Sequence, residues 1–541
     1  MPDHDRAEVA KIKGESLGQI LPGLSLWNLY FIAKLILHYQ GFIEFHLLEN
    51  LAFLAFLLFP VQSLLLKISR QIAAIPVGLW LLHYDSFLPP LSRLTAQLEE
   101  LSTFELDYLV ELFFRFFPPR VLLVGFLLLV VYYFFSKVFK LTAVVVLAVA
   151  VFSVQQVQQQ LHTDSVNKQA SSGVSQVGIR AITDELLNTE LGAFFEEQAK
   201  EEVPISVKQS ANADFDILFL SVCSLGWDDL EVSGYSNPAL FSRFDIVFDQ
   251  FNSVTSYSGP ALLRLSKSRC GQLPHKGLYE ALPPECNLFA SLETPDFEQS
   301  LLLNHSGKFG NFLERLRSYG GINATLMPQD NLTVTQKDFS GDSIYKDYDV
   351  LSKWWSYRLE KPNSNFVALY NTTTLHDGNR LLQGPRIGLP SYKLRIDALL
   401  KDFNRFLDDL EKSGRNVLVV LIPEHGAGLR GDKMQISGMR EIPSRSITHV
   451  PVMAKLIGPG LKRQGDVAHV DIPTSHMSIT RLLENIFEQN TFAKAEYSAA
   501  DLIRKMPELK WVSQNEAITV MQENKQFYIS LDGQTWSNYP D

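Results

Sequence analysis

The sequence predicts an α/β fold with a central, mostly parallel sheet, preceded by an α-helical transmembrane domain. Three observations lead there. Up to about Val154 the chain is dominated by Leu, Phe and Val, whereas beyond it the composition is that of a soluble globular protein. From about Phe215 onward, short β-branched runs alternate with amphipathic stretches, as strands and helices do in one α/β sheet. The third is the uninterrupted apolar run at 417–422, followed at once by Pro423-Glu424-His425-Gly426. Such a run reads as a strand buried on both faces, and ligands of open α/β sheets gather beyond the carboxyl ends of strands.

At 541 residues the chain is too long for one core. Residues 1–154 are expected to form a polytopic transmembrane domain, 155–210 a linker or stalk with an amphipathic helix, and 211–541 an external catalytic domain. The apolar half divides into about five spans of near-bilayer length, at 24–42, 47–66, 72–88, 121–135 and 141–154. Lys67 and Arg70 fall between spans two and three, and Lys137 and Lys140 between four and five. The segment between spans three and four is acidic instead, with Glu99, Glu100, Glu105, Asp107 and Glu111. Basic linkers belong in the cytoplasm, so the N-terminus is expected inside and everything after Val154 outside. The polar, mixed-charge opening residues 1–15 do not resemble a cleavable signal peptide. Net charge is −10 and no Lys/Arg-rich block occurs, which argues against nucleic acid as a partner.

All three cysteines follow the membrane region. Cys270 and Cys286 flank a short Gly/Pro-containing loop and are expected to pair in an oxidising compartment. Cys223 is then the odd one, either a buried core thiol or a functional ligand. Strands are expected at 215–222, 244–248, 366–370, 417–422 and 452–456, helices at 261–267, 311–318, 393–412 and 475–487, and a terminal hairpin at 517–521 and 526–531. Four Asn-x-Ser/Thr sequons occur, at Asn304, Asn323, Asn331 and Asn371.

Four strand ends deliver reactive side chains. The first ends at Cys223, the second leads through Tyr257 to Ser258-Gly259-Pro260, the third runs through Asn371 to His376, and the fourth ends at Glu424-His425. Thiolate, carboxylate and imidazole are all zinc ligands, and three protein ligands with one open position mark a catalytic zinc. Ser258 is the candidate nucleophile, because a hydroxyl entering a helix can be activated by a metal and can help hold an anion. The competing reading of Ser258 is an ordinary N-cap, and that of Glu424-His425 a polar strand end. Trp354 and Trp355 read as core or as a sugar-stacking surface. His476 reads as helix-start packing or a phosphoryl neighbour, and Asp228 and Asp229 as water-facing acids or partners for an ammonium group.

Cys223, the Thr255-Ser256-Tyr257-Ser258-Gly259-Pro260 segment, His376 and the Pro423-Glu424-His425-Gly426 turn together resemble the cellulose phosphoethanolamine transferases of bacterial cellulose-secretion systems. These belong to the alkaline phosphatase/sulfatase-like superfamily, and the resemblance covers essentially the whole chain. It implies an alkaline-phosphatase-like sandwich in the periplasm, anchored by multiple passes in the inner membrane. It also implies zinc held by Cys223, Glu424, His425 and the Ser258 oxygen, with phosphatidylethanolamine as donor and the emerging cellulose glucan chain as acceptor. Ser258 would carry a phosphoethanolamine group between them, His376 would act as acid and base, and Tyr257 would hydrogen-bond the phosphoryl oxygens. Arg440 falls where the family has an active-site arginine, although a surface charge reads equally well. Subunits of the cellulose synthase complex are the implied membrane partners. Lipid A-directed relatives typically use an acidic first ligand, a Thr nucleophile and Asp-His, which this sequence lacks. A hydrolase of the same superfamily and a non-catalytic assembly factor are the alternatives.

Overall fold

The computed structural model describes residues 23–61, 63–87, 104–170, 182–205, 214–281, 283–293, 297–385 and 387–539. The opening residues 1–15, Glu99 and Glu100, and parts of the expected stalk lie outside them. The chain divides into two compact units, residues 1–99 with 109–181, and residues 100–108 with 182–541.

The first unit is helical: α1 Trp27–Tyr39, α2 Leu47–Leu58, α3 Leu64–Asp85, α4 Leu106–Phe116, α5 Pro119–Phe135 and α6 Leu141–Ala170. By length and composition, Leu64–Asp85 and Leu141–Gln158 can each cross a membrane, and Tyr108–Arg115 with Pro119–Phe135 qualifies as a pair bent by 50°. This departs from the expected spans. The second one stops at Leu58, because the extended Phe59 precedes Pro60 and a residue before proline avoids helical backbone. The helix after it starts at Leu64, so Lys67 and Arg70 lie within α3 rather than in a linker. The last span continues without a break to Ala170, well past the expected boundary at Val154. Within the unit, buried Lys34 pairs with buried Asp85, and Asn50 bonds both, at 2.6 and 2.9 Å.

The second unit is built on a seven-stranded sheet. Its strands are β1 Asp216–Val222, β2 Ile246–Phe248, β3 Phe297–Leu303, β4 Asn365–Thr372, β5 Val417–Pro423, β6 Val452–Ile457 and β7 Ala468–Val470. They lie in the order β7-β2-β6-β5-β1-β4-β3, and only β6 runs antiparallel to its neighbours. Alternation along β1 builds two cores. Ile217 and Phe219 face one layer with Phe248, Phe289 and Leu482, whereas Leu218, Leu220 and Val222 face the other with Trp354, Trp355 and Phe403. Trp354 and Trp355 are therefore core residues, not a sugar surface.

Helices on the two faces include α8 Trp227–Ser233, α9 Ser258–Ser266, α10 Asp347–Leu359, α11 Gly388–Lys412 and α12 Met477–Glu488. Four of these elements, β3, β7, α8 and α10, escaped the sequence reading: β7 and α8 are only three and seven residues long, β3 opens with polar Glu298, Gln299 and Ser300, and α10 interleaves its apolar residues with Asp, Ser, Lys and Arg. The amphipathic stretch of the expected stalk is α7 Asp184–Gln198, capped by the Thr183 hydroxyl. Leu187 and Phe194 from it pack on the terminal sheet of β8 Val512–Asn515, β9 Ile518–Glu523, β10 Gln526–Ser530 and β11 Ser537–Asn538. α7 thus belongs to the soluble unit. Cys270 and Cys286 are joined in a disulfide with Cα atoms 5.1 Å apart.

Across the start of β1, the Arg358 guanidinium from α10 pairs with Asp216 at 2.8 Å, both side chains fully buried. Removing one partner strands the other charge, so Arg358→Met is expected to destabilise the soluble unit by about 3–5 kcal/mol. Replacing both, Arg358→Met with Asp216→Leu, should recover most of that loss. Denaturant unfolding of the single and double variants measures the difference.

Candidate metal centre and nucleophile

The site lies beyond the carboxyl ends of three central strands paired in register. Val222 of β1 sits opposite Thr372 of β4 on one side and Pro423 of β5 on the other. The residues that follow are Cys223, Thr373 and Glu424. The pairing continues one step further, with Cys223 N–H donating to Thr372 O and Glu424 N–H donating to Val222 O, both at 3.0 Å.

From the other direction, α9 begins at Ser258 with Tyr257 as its N-cap and Pro260 in the first turn. Ser258 Oγ lies 3.4 Å from both Cys223 Sγ and His425 Nε2, and the latter two atoms are 3.7 Å apart. A Cβ at Gly259 would meet no atom within 4 Å, so the nucleophile end of the helix is open. Arg440 enters from a loop, donating from Nη1 to Ser224 Oγ at 2.9 Å, with Nη2 3.4 Å from His376 Nε2. The structure thus brings together Cys223, Ser258, Glu424, His425, His376 and Arg440, with Tyr257 next to Ser258. Arg440 is in the site and is not a surface charge.

Proton positions follow from fixed acceptors. His425 Nδ1 faces Gly426 O at 2.8 Å and His376 Nδ1 faces Asp377 O. Carbonyl oxygens only accept, so His376 carries its proton on Nδ1. At His425 the nearer Gly426 O outweighs Arg440 Nη1, a donor 3.3 Å from the same Nδ1, so that its proton is placed there too and both rings offer an Nε2 lone pair. Burial, with Arg440 nearby, lowers both imidazole pKa values, that of His376 to about 3. Burial pushes the Cys223 thiol up to about 11, with the Glu424 carboxylate adding to it and Arg440 opposing.

A divalent metal ion fits this donor set. Ligand atoms of Cys223, Glu424 and His425 all lie within 4.8 Å of one another. Glu424 supplies the sharper test. Its Oε1 accepts from Ser221 Oγ at 3.1 Å and from Asn371 Nδ2, whereas Oε2 is buried without a hydrogen bond of ordinary geometry, although the Ser258 hydroxyl and Cys223 thiol lie close enough to oppose the rise that burial gives the carboxyl pKa. A buried carboxylate oxygen left bare among a thiol, an imidazole and a hydroxyl is what a monodentate ligand presents.

Several residues at the site escaped the sequence reading. Gly307 N–H donates to His305 Nδ1 at 3.2 Å, so His305 carries its proton on Nε2 and donates it to Asn371 Oδ1 at 2.9 Å. That leaves the Asn371 NH₂ to face Glu424, with the direction of the whole relay set by the one backbone N–H of Gly307. Asn371, noted in sequence as part of a sequon and as a residue on the way to His376, is fully buried. Asp229 is equally buried, against the expectation that it faces water. Its carboxylate accepts from the backbone N–H groups of Gly226, Ala427 and Leu429, which fixes the loop after His425. Asp228 pairs with Arg430 at 2.8 Å. His476 is buried at the start of α12, with Phe251 edge-on at 5.4 Å. No single-sequence signal marks the roles that Asn371, His305 and Asp229 play here, although Asp229 is visible as an acid, because hydrogen-bonding Asn, His and Asp at strand ends and helix starts are common.

Comparison with known proteins agrees across the chain. Residues 172–536 match the family described as the Cellulose biosynthesis protein BcsG C-terminal domain, and residues 27–154 its N-terminal domain. Cellulose biosynthesis protein BcsG of Escherichia coli (strain K12) is 36% identical, the alignment covering 97% of this chain and 98% of that protein. The Salmonella typhimurium protein of the same name is 35% identical with the same coverage. Among solved structures, an alkaline phosphatase superfamily protein from Vibrio parahaemolyticus is similar at TM-score 0.44 and 12% identity, over 65% of this chain and 91% of that one. The soluble domain of lipooligosaccharide phosphoethanolamine transferase A from Neisseria meningitidis is similar at 0.36 and 12%, over 55% and 93%.

Two outcomes are expected of the metal site. Cys223 holds its proton up to about pH 11, so metal uptake must displace it. Affinity should therefore rise with pH, by about tenfold per unit between neutral and mildly alkaline pH. Chelator competition on the full chain at several pH values measures the slope. In the same assay, Asn371→Leu should weaken metal binding by about 10- to 100-fold, since Glu424 loses the donor that fixes its orientation.

Proposed function

The chain belongs to the BcsG family of cellulose biosynthesis proteins, and on that premise we propose that it is a zinc-dependent transferase moving phosphoethanolamine from phosphatidylethanolamine to the glucose 6-hydroxyl of nascent cellulose. The observation that carries the reading is the bare Glu424 Oε2 among Cys223, His425 and Ser258. The mixed sulfur, nitrogen and oxygen donors favour zinc over magnesium or calcium. Zinc bound there would lower the pKa of the Ser258 hydroxyl and withdraw charge from the phosphoryl oxygens.

Ser258 Oγ attacks the phosphorus, the bond to the diacylglycerol oxygen breaks, and diacylglycerol departs as the alcohol. The Ser258 proton and the leaving alkoxide make a proton acceptor and a proton donor necessary in turn. His376, neutral with its Nε2 lone pair at the site, takes and returns that proton. The glucan hydroxyl then attacks the phosphoethanolamine-serine, the phosphorus–Oγ bond breaks, and Ser258 recovers its proton. Arg440 places a guanidinium beside His376 where phosphoryl charge builds up, and Tyr257, the N-cap residue before Ser258, would hydrogen-bond the same oxygens.

A lipid donor and a polymer acceptor both require the enzyme at a membrane. We place it in the inner membrane with several passes, its catalytic unit in the periplasm beside the cellulose synthase subunits. Topology has support within the soluble unit. Glu105 N–H donates to Phe339 O at 3.1 Å, and the Glu105 carboxylate pairs with Arg380 at 3.2 Å. These contacts of Glu105 support a reading in which the acidic segment after span three lies on the same side as the catalytic unit.

Peptide mass spectrometry of the full chain, incubated with zinc and phosphatidylethanolamine, tests the first half-reaction. One phosphoethanolamine increment on the Ser258 peptide is expected, absent in Ser258→Ala. Diacylglycerol and free phosphoethanolamine without glucan labelling would point to a hydrolase. No turnover at all, with zinc bound, would point to an assembly factor.

A further inference from the structure

Arg264 is a buried charge that the site does not use. It lies on α9, six residues after Ser258 and so about 9 Å further along the helix. The residue is only 5% exposed. Its Nη1 donates to Leu273 O at 2.8 Å, but Nε and Nη2 are buried with no protein partner. Among the described residues no carboxylate pairs with it. An uncompensated buried guanidinium is strongly disfavoured, and proteins supply such groups with a counter-charge.

The surroundings suit an anion. Arg264 lines a small cavity with Lys267, Ser268, Gln272, Ser475 and His476, and no acidic residue contributes to its wall. About 20 Å³ is open to a water-sized group, room for one small ion. The N-terminus of α12 begins at the cavity with Met477, presenting the positive end of a twelve-residue helix. Just beside it, the buried hydroxyls of Thr474 and Ser478 also lack partners. Lys267 adds a second positive charge, its Nζ held by the carbonyls of Leu278 and Glu280 at 2.6 and 3.3 Å. His476 is neutral, its pKa lowered to about 3 by burial and then by Arg264, so it contributes no further charge. The one orphan acceptor, Gln272 Oε1, can be served by a water beside the ion.

We propose that this cavity binds one small inorganic anion, of halide size, as the counter-ion of Arg264. The anion would neutralise the far end of the helix that begins at Ser258 and so stabilise the element presenting the nucleophile. The assignment is independent of the reading of Ser258, zinc or substrate.

Thermal unfolding of the full chain in detergent, with chloride replacing gluconate at constant ionic strength, tests it. The wild type is expected to gain a few degrees in Tm, saturating with chloride. Arg264→Met should unfold at one temperature in both buffers, and no lower than wild type in gluconate, because it removes the stranded charge. Broadening of the chloride NMR line by wild-type protein, reversed by excess bromide, reads the site without any variant and covers the case in which Arg264→Met does not fold. A wild-type Tm independent of chloride with no broadening overturns the proposal, as does a chloride response that persists in Arg264→Met. A response to phosphate and not to chloride overturns the halide assignment.

Discussion

In-register parallel pairing of β4, β1 and β5 is the constraint on which the site depends. Each strand is buried on both faces, so register is fixed by two cores at once. A slip of one residue along β5 would turn Val420 toward the layer that holds Leu421 and carry Glu424 away from Cys223. The hydrophobic alternation that stabilises the sheet thereby also sets the distance between a thiol and a carboxylate. Chemistry at the end of the strands is inherited from packing in their middles.

Around this frame, the polar groups are arranged so that each buried charge is met from a defined direction. Glu424 offers one oxygen to Ser221 and Asn371 and keeps the other bare, and the orientation of Asn371 is set through His305 by a backbone N–H of Gly307. Asp229 uses three backbone N–H groups to hold the loop that follows His425. Burial raises its carboxyl to about 6 despite these donors. Arg440 stands between two imidazoles and favours their neutral forms. Neutral imidazole is the form that can ligate a metal at His425 and accept a proton at His376.

What could be read from the sequence follows from this logic. The apolar run before Glu424-His425 and the strand before Cys223 were legible because a doubly buried strand leaves a continuous β-branched signature. Their shared site was legible because both end in metal-ligand chemistry. Asn371 and His305 were not, because a residue that acts through its hydrogen bonds looks like any polar residue at a strand end. Asp229 reads only as an acid beside Cys223, because its three backbone donors come from the helix start and a distant loop. Span boundaries failed for a different reason: apolar composition runs straight through Pro60, and only backbone sterics separate α2 from α3. Lys67 and Arg70 then read as linker although they are helical. β3 was missed because its first half carries Glu298, Gln299 and Ser300, polar residues tolerated on a strand at the sheet's edge.

The terminal sheet shows how far from the sheet the nucleophile's position is determined. Val254 sits at φ 70°, a left-handed backbone that a β-branched residue rarely adopts. Such a conformation persists only where neighbours impose it. Asn252 Oδ1 accepts from Val254 N–H at 2.8 Å, and Gln514 N–H from β8 donates to Val254 O at 2.7 Å. Next in β8, Asn515 accepts from the Thr255 hydroxyl and from Ser256 N–H, and donates to Glu441 O at 2.9 Å. One side chain therefore ties the segment leading to Ser258 to the loop carrying Arg440. The sequence shows β9 and β10 only as a terminal hairpin, and β8 not at all. Their role at the site exists because an asparagine amide can accept from one loop while donating to another, and a strand is stiff enough to hold both in place.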